Sequence, residues 1–172
     1  MGLEALWEVI WSIIIGAWPL WVLLVAFIVF KVLGKIALER IDKKKIKDSG
    51  IEDVDQMKGE DFELFLETLF ENMGYKVERT RKQGDYGADL IISKSIGKGS
   101  RTAVQAKRYN NKNVSVDAVQ QAVAAKGYYG CQDAMVVTNS NFSKSAQKLA
   151  NKNGVELWDR NKLMIKIIEI DK

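Results

Sequence analysis

Histidine is absent from all 172 residues of the chain. Zinc sites built on imidazole, Ser-His triads and His-dependent nuclease centres are thereby excluded. Catalysis, if there is any, has to come from carboxylates, amides, lysines or hydroxyls. Cysteine is nearly as scarce: the single Cys131 cannot close an internal disulfide, which fits a reducing compartment. Placed at the head of the apolar run CQDAMVVTN, it reads as a small buried residue and not as a reactive thiol. Proline occurs once, at Pro19, and charge is missing altogether between Val9 and Phe30.

That uncharged run is long enough, at ~1.5 Å per residue, to make ~33 Å of helix against a hydrocarbon core of ~30 Å. The expectation is one transmembrane helix within residues 1–30. Its leader carries Glu4 and Glu8 in place of basic residues and no small-residue cleavage site follows, so it should be retained and not removed as a signal peptide. Residues 31–50 then read as a basic juxtamembrane linker. Between Lys31 and Lys47 there are seven basic residues, opposed only by Glu39 and Asp42. By the positive-inside rule this predicts a single-pass protein of the inner (cytoplasmic) membrane, in contact with lipid through its helix, with residues 51–172 as a cytoplasmic domain.

Charge in that domain is unevenly spread. Residues 48–71 hold nine acids and one lysine, whereas 72–172 hold eighteen basic residues and nine acids, so a polyanion would be drawn to the second portion. In GEDFELFLETLFENMGY, Phe62, Phe65, Leu66, Leu69, Phe70 and Met73 recur at helical spacing, and Gly74 is placed to end the helix. Glu63, Glu67 and Glu71 share its other face. YKVERT, ADLIIS and RTAVQAKRY read as strands, the last two as a pair. Ser115 is the expected cap of the helix SVDAVQQAVAAKGYY. AMVVTN is an apolar strand, SKSAQKLANKN a helix stopped by Gly154, VELW a short strand, and NKLMIKIIEI is ambiguous between helix and strand. The order predicts a mixed α/β sheet with helices on both faces.

Side chains two apart on a strand share a face, so Gln105 and Lys107 project together while Ala106 faces the opposite layer. Asp89, near the start of the neighbouring strand, can meet them. A carboxylate, an amide oxygen and an ammonium converging at the end of a sheet suit divalent-metal phosphodiester chemistry: hard oxygens hold Mg²⁺, and the lysine serves a water and the developing phosphorane charge. Asp85, in the same GD turn, reads equally well as a turn former.

The motifs GEDFE, GY at 74–75, GDYGAD, VQAKRY, VVTNSNFS and VELWDR, in this order, resemble the catalytic domain of Mrr-type (type IV) restriction endonucleases, within the PD-(D/E)xK nuclease superfamily. The likeness runs from about Gly59 to Leu163. It implies a restriction-endonuclease-like fold, cleavage of DNA, often modified DNA, and Mg²⁺ (or Mn²⁺) as cofactor. Carried over residue by residue, it implies Asp89 as metal ligand, Gln105 in the slot where many relatives have Glu, Lys107 as catalytic lysine, and Glu63 as a further acidic ligand. An amide in place of a carboxylate weakens the metal site, which keeps open a catalytically weak DNA-binding or sensor subunit, and because the backbone chemistry is shared, a nuclease acting on RNA or DNA junctions stays open as well. DNA is the expected partner. Homo-oligomers and a defence-system partner are compatible with a domain too small to carry a separate reader.

Overall fold

A computed structural model describes residues 7–8, 11, 21–33, 50–80, 86–94 and 99–170. The chain divides into two compact units, Met1–Asp42 and Lys43–Lys172. In the first, residues 21–33 are helical, with exposed apolar side chains that include Trp21, Phe27 and Phe30. Among the described residues no helix is long and apolar enough to cross a membrane. The expected single-pass inner-membrane location is corrected accordingly. Residues 9, 10 and 12–20, which complete the apolar run behind that expectation, lie outside the described residues, as do residues 34–49 of the expected linker at 31–50 and Asp85.

The second unit begins with a short helix α1 (Ile51–Val54) and the long helix α2 (Gly59–Asn72). Strands β1 (Tyr75–Arg79), β2 (Leu90–Lys94) and β3 (Arg101–Lys107) follow, then helix α3 (Val116–Tyr128) and strand β4 (Asp133–Thr138). Helix α4 (Lys144–Asn153), strand β5 (Val155–Trp158) and helix α5 (Arg160–Ile170) complete it. The sheet order is β1-β2-β3-β4-β5. Its first three strands are antiparallel neighbours, while β3, β4 and β5 run parallel through the crossovers α3 and α4.

Strand alternation sorts the interior into two layers. On one face Val104 of β3 and Met135 and Val137 of β4 pack with Phe62, Phe65, Leu66 and Phe70 of α2 and with Leu163 and Ile167 of α5. On the other, Ala134 and Val136 of β4 pack with Ala118, Val119 and Ala122 of α3 and Ala146 and Ala150 of α4. Small alanines on three elements let these helices lie close to the sheet. Phe62 and Phe70, both with essentially no exposure, each contribute about 1.5–3 kcal/mol of apolar burial. Cys131 belongs to a third buried group with Ala88, Ile91 and Ala103, and burial pushes its thiol pKa up, away from the reactive thiolate.

The tail left ambiguous in sequence is helical, because Leu163 and Ile167, four apart, both reach the α2 layer. Gly74 and Gly154 end α2 and α4 in left-handed conformations, φ +84° and +63°. Ser115 precedes α3, but its hydroxyl bonds to Asp117 Oδ2 at 3.0 Å and not to a helix N–H. Ser143 does cap, accepting from Ala146 N at 3.1 Å.

Candidate active site

Leu90 pairs with Val104, so extending the antiparallel register by one residue sets Asp89 opposite Gln105. Asp89 precedes β2, yet its main chain is tied on both sides: its N–H donates to Val104 O at 2.9 Å and its carbonyl accepts from Thr80 N at 3.1 Å. The turn before it is fixed by close approach. Gly87 has φ +90°, and a Cβ there would stand 2.5 Å from the main-chain oxygen of Gln121 on α3. The glycine of GDYGAD therefore allows the turn to lie on α3 and present Asp89 to β3.

Gln105 is 3 % exposed and Lys107, the last residue of β3, is half-buried. Ala106 between them packs in the α2 layer, confirming that Gln105 and Lys107 share the other face. The Nε2–H group of Gln105 donates to Asp89 Oδ2, and also to the main-chain carbonyl of Ala106 at 3.1 Å. The same Oδ2 accepts from Ala106 N at 2.7 Å. An amide donor thus sits where a carboxylate and a carbonyl oxygen converge.

A hard cation fits that donor set. Turning the carboxamide by half a turn exchanges Nε2 for Oε1, so carboxylate, amide and carbonyl oxygens would meet, with waters completing the coordination that Mg²⁺ prefers. Among the described residues no group of three or more Asp, Glu or Cys side chains is placed to hold a metal. A cation here would therefore rest on mixed oxygen donors.

Glu63 is not brought into this group by any described contact. It lies on α2 with Oε2 3.7 Å from Arg79 Nη2 of β1, and Glu67, one turn on, is 3.7 Å from Arg79 Nε.

Sequence reasoning missed Asn139. This side chain, 4 % exposed just beyond β4, accepts from Tyr109 N at 2.9 Å and donates to Tyr109 O at 3.0 Å, imitating a strand neighbour. It continues the β3–β4 pairing past Lys107↔Thr138 and fixes the chain leaving Lys107. Asn139 also donates to Asp55 Oδ1 at 2.9 Å, and Arg160 Nη1 donates to the same oxygen at 2.6 Å. The Arg160 hydrogen bond holds the Asp55 carboxyl below its usual range, outweighing burial. Asn139 stands inside the motif VVTNSNFS, where the polar pair TN ends an apolar strand.

A mixed five-stranded sheet flanked by helices is a fold like that of restriction endonucleases. Residues 54–166 match the Mrr_cat family, described as restriction endonuclease, and the chain belongs to that family. Among solved structures it is similar to AspBHI, a DNA modification-dependent restriction endonuclease, with 21 % identity and a TM-score of 0.57 over 74 % of this chain and 35 % of that one. Weaker likenesses are to MspJI in complex with a 27-mer oligonucleotide (23 % identity, TM-score 0.43, 61 % of this chain and 26 % of that one) and to a repair endonuclease from Pyrococcus abyssi (23 %, 0.42, 55 % and 44 %). In each case the chain spans less than half of the other protein. No curated protein matches it.

Proposed function

We propose that the chain is a divalent-metal-dependent DNA endonuclease, with its nuclease domain at residues 51–172, acting on foreign or modified DNA. The observation that carries this is the Gln105 amide held between Asp89 Oδ2 and Ala106 O, with Lys107 next on the same strand face.

In this reading Asp89 and Gln105 are the metal ligands, joined by the Ala106 carbonyl, and Glu63 is a further carboxylate that α2 supplies once it leaves Arg79. Mg²⁺ or Mn²⁺, when bound, polarises the phosphodiester and acidifies a coordinated water. Lys107 hydrogen-bonds the attacking water and stabilises the negative charge that gathers on the phosphoryl oxygens. The water oxygen bonds to phosphorus and gives up a proton to solvent, the opposite P–O ester bond breaks, and the departing oxygen takes a proton from solvent to leave as an alcohol. Burial of Val104 and Gln105 fixes the strand that presents these groups, so little reorganisation is needed as charge develops.

The test is incubation of the purified full chain with modified duplex, unmodified duplex and RNA, in Mg²⁺, Mn²⁺ or EDTA. Cleavage of DNA with either metal and none in EDTA is expected. Cutting that persists in EDTA, or cutting of RNA alone, contradicts the proposal.

A further inference from the structure

A cleft of about 760 Å³ opens past the carboxyl ends of β3 and β4, starting one residue beyond Lys107. Parallel strands of α/β sheets commonly receive ligands at this end. None of Asp89, Gln105 and Lys107 lines the cleft. Its single lining carboxylate, Asp55, is already engaged by Arg160 and Asn139.

Arg108 is placed differently. Its Nη2 donates to the neutral main-chain carbonyl of Asp55, and its Nε–H is buried with no hydrogen-bond partner. Among the described residues it forms no ion pair. A buried guanidinium N–H without an acceptor costs about 1–3 kcal/mol, so the protein's own hydrogen bonds do not fully satisfy Arg108. Around the rim Asn110, Asn111, Asn113 and Asn141 are exposed, and among the described residues their carboxamides bond to no protein group. The loops that carry them are tied to each other, Val114 N to Asn141 O at 2.8 Å and Ser140 Oγ to Lys112 O at 2.8 Å, so the amides are presented on a fixed frame.

Arg108 and Arg160 line the cleft against the one carboxylate of Asp55; that excess of positive charge calls for an anion, and guanidinium geometry matches phosphate. Several carboxamides together call for a flat edge bearing both donors and acceptors, as a nucleobase has. The volume lies within the ~300–1,000 Å³ of small-ligand sites. We infer that this cleft is a nucleotide subsite: it holds a nucleotide of the bound DNA, its phosphate on Arg108 and its base edge on the asparagines, beside the bond under attack. This rests on the nuclease reading above. It assigns substrate positioning to residues outside the Asp89–Gln105–Lys107 group.

The experiment measures binding of a fluorescent DNA duplex to the full chain in EDTA, where no cutting intervenes, with Arg108→Ala and with Asn110→Ala combined with Asn113→Ala. Each variant is expected to weaken binding about tenfold, and Arg108→Ala to lower the salt slope by about one phosphate contact. Both should keep the wild-type melting temperature within a few degrees. If Arg108→Ala melts much lower, Arg108→Gln and the asparagine pair decide. Titration with a deoxynucleoside monophosphate separates the two sources of this chemistry. Competition with DNA that is lost in the variants supports the subsite. A monophosphate that binds in the cleft while DNA affinity is unchanged by the variants overturns it in favour of a free nucleotide. Wild-type DNA affinity in all variants overturns the subsite and leaves the nuclease reading standing, whereas a wild-type chain that neither binds nor cuts DNA overturns both.

Discussion

The Nε2–H of Gln105 donates to Oδ2 of Asp89 across the β2–β3 pair, so each side chain holds the other in place. Carboxylate and amide are complementary without a cation: the amide supplies the positive end of a dipole where a metal would supply charge. A carboxylate at position 105 could not do this, since two anions would meet over a buried strand position.

Gln105→Glu should therefore separate the metal-free and metal-bound states. In EDTA the variant should melt several degrees below wild type, and Mg²⁺ should raise its melting temperature by more than it raises that of wild type. Calorimetric scans with and without Mg²⁺ check this. Equal Mg²⁺ shifts in the two proteins would argue against a ligand role for residue 105.

Gly87→Ala tests how Asp89 is placed. The added methyl would stand 2.5 Å from Gln121 O in a backbone conformation unfavourable to alanine, at a cost of roughly 1–3 kcal/mol. Urea unfolding should show that loss, and cleavage should fall with it as the turn lifts off α3. A variant as stable and active as wild type would mean that the turn does not position Asp89.

Asp55 gives the second unit a defined acid response. Its folded pKa lies below the unfolded value of ~3.9, chiefly through the Arg160 hydrogen bond. Between those two values the unfolded chain binds more protons than the folded one, so the contribution is complete above about pH 5 and is lost as pH falls through the folded value. Asp55→Asn should flatten the decline in melting temperature between about pH 5 and pH 3. An unchanged slope would contradict it. Asn139→Ala, which strands both main-chain groups of Tyr109, should cost about 1–3 kcal/mol at any pH.

Much of this was legible from local pattern. The 3.6-residue spacing of Phe62, Phe65, Leu66, Leu69 and Phe70 fixed α2, and the period of two in VQAK placed Gln105 and Lys107 on one face. What was hidden depends on partners remote in sequence. Asn139 joins Tyr109, 30 residues back, to Asp55, 84 residues back, and no window along the chain contains all three. The pairing of Glu63 with Arg79 was hidden in the same way, because nothing near Glu63 in sequence announces Arg79 across the α2–β1 packing. The apolar run at 9–30 read as a span on its length and lack of charge, whereas among the described residues no helix is long and apolar enough to cross a membrane.

Arg79 also makes the role of Glu63 testable. If α2 contributes a ligand, Glu63→Gln should weaken Mg²⁺ affinity several-fold, and Arg79→Ala, which releases the carboxylate, should strengthen it. Isothermal titration with Mg²⁺ measures both. No change in either variant would confine the metal to Asp89, Gln105 and the Ala106 carbonyl.

The central claim is that the face of β3 carrying Gln105 and Lys107 is catalytic, and Lys107→Ala tests it most directly. Single-turnover cleavage of a DNA duplex in saturating Mg²⁺ should slow by roughly 10² to 10⁴-fold, while DNA binding and the Mg²⁺ thermal shift stay close to wild type. Asp89→Ala, run beside it, should lose the thermal shift as well. Cleavage by Lys107→Ala at the wild-type rate, in a preparation whose cutting EDTA abolishes, would contradict the account.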